Sequence, residues 1–468
     1  LFKNSINIPR PVSVLLGLCC AFGFLTPNPF LTLLAILYIP LAAKLLWKRN
    51  HPPVLFFAFM YQWLQVSVKL LYSDVTTVPL NSISQFPGIP IENAFLLALA
   101  SLIIQAIGIN LIISKIAPVL RETVQEQVSD YDSKRLLGLY IAAIIISPVL
   151  IRLGGVAGSF QQLAVKIVTI KWSILVLLYL NIFPNNPKYR TAFLLIVSIE
   201  FLLSFTGYFS SFKEYFFLLA LAALTISRKF TLTQYFGFAA AGMCLFFLSV
   251  IWQTIKPDYR KELSGGEAQQ TVTISSEDAL NSAYSLASEV DKEDFENGFY
   301  ALIQRTSYID FLGVVENFVP FNVPHENGAL WEDAVKRIFQ PRIFFPNKRI
   351  IDDSEKAMKY TGLNFAGAAQ GASISLGYVT ESYIDFGYLL MMIPLFLWGL
   401  VIGVVYRFIF EKTGKLILGM VLTIPIYFQI FAFETALDKI ITALLYYFIV
   451  YLLLKIYGLK MLDKFLSR

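Results

Sequence analysis

The run NAFLLALASLIIQAIGINLIIS, residues 93–114, holds 22 residues without one charged side chain. A helix needs about 20 predominantly apolar residues to cross the hydrocarbon core of a bilayer, so the stretch reads as a membrane span. Comparable runs lie near 11–27, 28–47, 53–72, 136–152, 164–183, 191–210, 214–226, 232–254, 383–408, 416–433 and 440–458, which brings the number to twelve. Composition agrees. Of 468 residues, 56% are hydrophobic and 15% charged, whereas soluble domains have about 45–50% and about 25%. An ordinary soluble enzyme is excluded, and the expected fold class is an all-α polytopic integral membrane protein. It should comprise an N-terminal bundle of about nine spans over 1–254, one large exterior loop over 255–382 and about three C-terminal spans over 383–468.

The formal charge of +6 is mild and dispersed, so nucleic acid is not an expected partner. Cys19, Cys20 and Cys244 all sit in apolar runs, leaving no loop thiol for a disulfide, a zinc site or a nucleophile. The first apolar run lacks a small-residue cleavage site and reads as a retained span. With the N terminus inside, the interior segments carry 20 Lys and Arg residues and the short exterior connections at most five. That bias predicts two cytoplasmic termini and a periplasmic or equivalent location for the long loop.

Three zones are expected in the loop. Residues 256–294 are polar and acidic and read as solvated and partly flexible. From Glu296 to Val319 apolar residues recur at helical spacing, predicting a helical piece that lies on the membrane or caps the spans. A short amphipathic helix, Trp331 to Phe339, should end at Pro341.

Cations gather on this exterior side: Arg305, Lys336 and Arg337, then Arg342, Lys348 and Arg349 in the segment Pro341-Arg342-Ile343-Phe344-Phe345-Pro346-Asn347-Lys348-Arg349. Guanidinium forks and ammonium groups are what a lipid-linked pyrophosphate needs at the bilayer surface when no metal neutralises it. The alternative is that they meet lipid headgroups or Asp352 and Asp353. Arg152, before the Gly154-Gly155 turn, and Lys213 add two cations from smaller connections. For proton transfer the exterior offers Glu381 first, then Asp385 and His325; Glu381 and Asp385 share a helix face, where carboxylates also suit a helix N terminus. Deeper, Lys171 and Glu200 are expected to form a structural ion pair.

Four segments carry a resemblance: Gly207-Tyr208-Phe209-Ser210-Ser211-Phe212-Lys213; Arg305-Thr306-Ser307-Tyr308-Ile309-Asp310; Arg337 through Lys348 in the order R-x-x-x-P-R-x-x-x-P-x-K; and Gly377-Tyr378-Val379-Thr380-Glu381 through Gly387. In these, from about residue 200 onward, the chain resembles the Wzy-type O-antigen and exopolysaccharide repeat-unit polymerases. It departs from them in having Lys at 213 where Arg is common. The resemblance implies a GT-C-like scaffold in the bacterial cytoplasmic membrane and metal-independent glycosyl transfer on its exterior face, without a cofactor. Its implied partners are a polyprenyl-pyrophosphate-linked oligosaccharide, membrane lipids and a chain-length regulator. Glu381, Arg305 and Arg342 would then be catalytic, and Arg152, Lys213, Arg337 and Lys348 would bind pyrophosphate. An O-antigen ligase would share the donor. A lipid-linked sugar flippase would suit twelve spans, but such folds are usually built from repeats around a midplane site, unlike a nine-plus-three division. A polyprenyl-monophosphate transferase would want an acidic pair where this chain has Leu25-Thr26-Pro27-Asn28-Pro29.

Overall fold

A computed structural model describes residues 4–156, 160–208, 211–226, 230–266, 272–340, 345, 352–367 and 373–467. The chain is helical, with only isolated bridges among the described residues. In order the helices are α1 (Arg10–Gly23), α2 (Pro29–Leu46), α3 (Val54–Thr76), α4 (Glu92–Ile113), α5 (Arg121–Ser129), α6 (Ser133–Val156), α7 (Gln161–Val168), α8 (Ile170–Asn185), α9 (Arg190–Leu203), α10 (Phe212–Thr225) and α11 (Leu232–Ser264). The long loop segment follows with α12 (Ser276–Ser288), α13 (Lys292–Thr306), α14 (Ile309–Phe318), α15 (Ala329–Ile338) and α16 (Asp353–Thr361). The last group is α17 (Tyr378–Leu390), α18 (Met392–Lys412), α19 (Leu416–Leu422), α20 (Tyr427–Ile430), α21 (Leu437–Leu453) and α22 (Leu459–Leu466).

Eight helical stretches are long and apolar enough to cross a membrane: α2, α3, α4, α6, α7 with α8, α11, α18, and α21 with α22. The other four runs read from the sequence also fold as helices, but short ones: α1, α9 and α10 have 14 residues each, and Leu416–Ile430 is interrupted. Contacts define two ends of the bundle. At one, Asn4 donates to the Ile116 carbonyl, Lys48 to Asn110, and Tyr131 to Asp463. At the other, Asn28 reaches Asp74, Lys69 pairs with Asp310 and Arg305 with Glu434. Both terminal segments lie at the first end, and the described residues between 255 and 378 at the second.

Among the described residues α4 and α18 pack against each other along much of their length. Small residues let transmembrane backbones approach, and Gly399 and Gly403 are four apart on α18. A Cβ on Gly399 would stand 2.3 Å from the Gln105 carbonyl oxygen.

The loop segment and the run after it add three details to their readings. The polar stretch read as solvated and partly flexible is helical in the end of α11, in α12 and at the start of α13, and Trp252, Ile255, Tyr259 and Leu263 of α11 pack with Phe212 and Ala279 in a second core. The Ser275 side chain caps α12, and Asp291 with Asp294 forms a capping box at α13. The stripe at 296–319 divides at Ser307 and Tyr308 into α13 and α14, and α14 inserts Ile309, Leu312 and Val315 into the bundle. Asp310 anchors it. Its carboxylate takes the Lys69 ammonium at 2.6 Å with both side chains 0% exposed, and accepts from the Gln85 amide at 2.8 Å and the Ser307 hydroxyl at 3.1 Å. Finally, the run at 383–408 is two helices. Gly387 has φ 69° and ψ −171°, a conformation that a Cβ would disfavour, and it kinks α17 ahead of the span α18. The expected domain limits at 254/255 and 382/383 therefore fall inside α11 and α17.

Candidate functional site

Arg305 stands on the last turn of α13, and Glu434 in the link between α20 and α21. Two nitrogens of the Arg305 guanidinium meet the two Glu434 oxygens, at 2.6 and 3.4 Å. Three more cations lie within electrostatic reach of Arg305. Lys256 of α11 feels the charges of Arg260, Arg305 and Lys213 and, of opposite sign, Glu434; Arg305 also acts on Lys213 and Arg260. Arg260 is oriented by the Tyr208 carbonyl, 3.3 Å from its Nε, and lies 4.5 Å from the Tyr208 ring centroid. These side chains come together because α11 continues well past its apolar run and α13 crosses it, with Phe246 against Phe299 and Phe247 against Phe295.

A second charged group adjoins the first. Glu381, in the first turn of α17, is 1% exposed. One oxygen accepts from Lys356 of α16 at 3.0 Å and the other from the Leu437 amide at 3.3 Å. Burial pushes its pKa up to about 7 against the pull of the Lys356 ammonium, with Asp438 adding to the rise. Lys356 is held above its ordinary pKa; burial opposes its charge, and the carboxylates of Glu381, Asp438 and Asp353 outweigh that. Lys439 pairs with Asp353, which also accepts from Ser373. Glu434 and Leu437 are three residues apart, a Cα separation of at most about 11 Å, so one short link touches both groups. Tyr308 lies between them: Glu434, Arg305, Asp353 and Glu381 all act on its hydroxyl, which donates to the Ser375 carbonyl at 2.5 Å.

A family model described as a domain of unknown function, DUF8712, matches residues 94–464. The chain belongs to the DUF8712 family. No curated protein and no solved structure matches it. The DUF8712 match takes in all the charged residues of both groups and leaves out α1 to α3.

Of the residues singled out from the sequence, the DUF8712 fold brings Arg305 and Lys213 into one cluster and sets Glu381 beside it. Arg152 lies elsewhere, exposed between Ile151 and Leu153 near the end of α6, and among the described residues none pairs with it. Arg337 pairs with Asp333 one turn earlier on α15, at 2.7 Å. Arg342 and Lys348 lie outside the described residues. Asp385 caps α15, accepting from the Leu330 and Trp331 amides at 3.1 and 2.9 Å. His325 sets Nδ1 3.1 Å from the Ile384 carbonyl and its ring edge-on to Tyr383. Lys171 and Glu200 form the expected ion pair, at 2.7 Å.

Sequence reading missed Lys256, Arg260, Glu434 and Lys356. A signal existed for the first two: they are four apart, hence on one helix face, just beyond an apolar run. Glu434 and Lys356 carry no local signal. Among the described residues no group of three or more His, Cys, Asp or Glu side chains is placed to hold a metal ion.

Proposed function

We propose that this DUF8712 protein is a membrane glycosyltransferase that joins lipid-linked oligosaccharide repeat units, acting at the exterior face of a bacterial cytoplasmic membrane. The observation that carries the reading is the grouping of Lys213, Lys256 and Arg260 about Arg305, which pairs with Glu434, beside the buried Glu381–Lys356 pair at the same end of the bundle. A polyprenyl pyrophosphate presents its anionic group at the bilayer surface, and cations aimed at it stabilise the charge that grows as it departs. In the reaction an acceptor sugar hydroxyl forms a bond to the anomeric carbon of the donor glycan. The bond from that carbon to pyrophosphate oxygen breaks with its electron pair, and polyprenyl pyrophosphate leaves. The hydroxyl proton goes to Glu381, approached from the side of Lys356, the more exposed partner. We place all twelve helical runs across the membrane in a GT-C-like bundle, with both termini cytoplasmic.

The test is a reconstituted assay with a purified lipid-linked repeat unit, read as a ladder of product lengths. Wild-type protein should build the ladder, and Arg305→Ala should leave single repeat units. An unchanged ladder in well-inserted Arg305→Ala protein would remove the cluster from the reaction.

A further inference from the structure

Arg305 does not wait empty. Its fork is filled by Glu434, yet the second contact, at 3.4 Å, is beyond ordinary hydrogen-bond length. Arg305 is 55% exposed and Glu434 28%, and ion pairs with that much access to water are weakly held. Lys256 feels the positive charges of Arg260, Arg305 and Lys213 as well as the Glu434 carboxylate. A diphosphate group carries more negative charge than one carboxylate and would meet these cations better.

The backbone around Glu434 is fixed independently of its side chain. The Phe433 amide donates to Gln65 Oε1 at 2.7 Å, and the Thr435 carbonyl accepts from the Tyr378 amide at 2.8 Å. Rotation about the side-chain bonds of Glu434 is therefore enough to free Arg305, with no movement of the link that also holds Glu381 through Leu437.

We propose that Glu434 is a built-in occupant of the anion site: its carboxylate orients the Arg305 fork in the empty protein, and the diphosphate group of the substrate displaces it and joins Arg305, Lys213, Lys256 and Arg260. The identity of the ligand rests on the function proposed above; the role of Glu434 rests on the geometry. Competition from inside the chain sets a threshold that a ligand with one small negative charge does not pass, so the site favours diphosphate over monophosphate.

The experiment measures binding of inorganic pyrophosphate, inorganic phosphate and polyprenyl pyrophosphate to full-length protein in lipid nanodiscs. Glu434→Gln, which keeps the shape and removes the charge, should bind inorganic pyrophosphate about tenfold or more tighter than wild type. Monophosphate should gain as well, narrowing the discrimination. Glu434→Asp, which withdraws the carboxylate by one methylene, should fall between and serves if the Gln variant inserts poorly. Arg305→Ala should lose pyrophosphate binding. If Glu434→Gln binds pyrophosphate no tighter than wild type while Arg305→Ala still loses it, Glu434 only braces the arginine and the proposal fails, leaving the donor reading intact. If wild type binds neither pyrophosphate nor its polyprenyl ester, both readings fall. If only the polyprenyl ester is bound, tighter binding of that ester by Glu434→Gln supports the proposal and unchanged binding overturns it.

Discussion

Arg305 and Glu381 serve the proposed chemistry in different ways, and their variants should separate. A guanidinium aimed at a departing pyrophosphate supplies its largest effect in the transition state, so Arg305→Ala should lower turnover by about 10²–10³-fold. Arg305→Lys should recover only part, because an ammonium lacks the two-pronged geometry. Both are read from single-turnover rates in the reconstituted assay. Glu381 must be ionised to accept a proton, and burial holds its pKa at about 7. The rate should therefore rise with pH through a midpoint near 7 and stay flat above it. Glu381→Gln should abolish that limb and cost about 10²–10⁴-fold. Lys356 lowers the Glu381 pKa by its charge, so Lys356→Met should move the midpoint to higher pH. A midpoint that stays in place in this variant would show that another group titrates. Asp385→Asn should have a smaller effect on rate, since Asp385 is occupied with the α15 amides.

Among elements, two contacts hold α14 and α18 in place. The Lys69–Asp310 pair joins α14 to α3 with both charges out of contact with water. Removing one partner strands the other, at a cost of about 3–5 kcal/mol. Lys69→Met should therefore lower the thermal midpoint of the detergent-solubilised protein markedly. Replacing both residues with apolar ones of similar volume should restore much of the loss. Gly399 faces the Gln105 carbonyl across the α4–α18 contact, and a side chain there must push two backbones apart. Gly399→Leu should destabilise by about 1–3 kcal/mol, measured in the same way. The kink in α17 belongs here too. The break at Gly387 leaves the Ile384 and Asp385 carbonyls to accept from the Glu326 and Asn327 amides, which ties α17 to the link between α14 and α15.

For the protein in its membrane, the decisive measurement is sidedness. In a cysteine-free background, Ser276→Cys should react with an impermeant maleimide in cells stripped of any outer barrier, whereas Lys188→Cys should react only after permeabilisation. The reverse pattern would turn the bundle over and put the cation cluster in the cytoplasm. The apolar runs that make this bundle were legible in the sequence because transfer into a bilayer is a property of a local window of about 20 residues. Each of the twelve runs corresponds to helical structure among the described residues; the shortness of the run at 214–226 was legible, but the kink at Gly387 was not. The Lys171–Glu200 pair could also be foreseen, because isolated charges in apolar runs need a partner. Arg305 and Glu381 stood out by type and position. Their partners did not: Glu434 lies 129 positions from Arg305, and Lys356 lies 25 positions from Glu381, and periodicity says nothing about pairs so far apart. The continuation of α11 past its apolar run, which delivers Lys256 and Arg260 to the cluster, depends on an aromatic core shared with Phe212 and Ala279. Local composition sets which segments enter the membrane; which charges meet at its surface follows from helix packing, a property of distant residues that no single window contains.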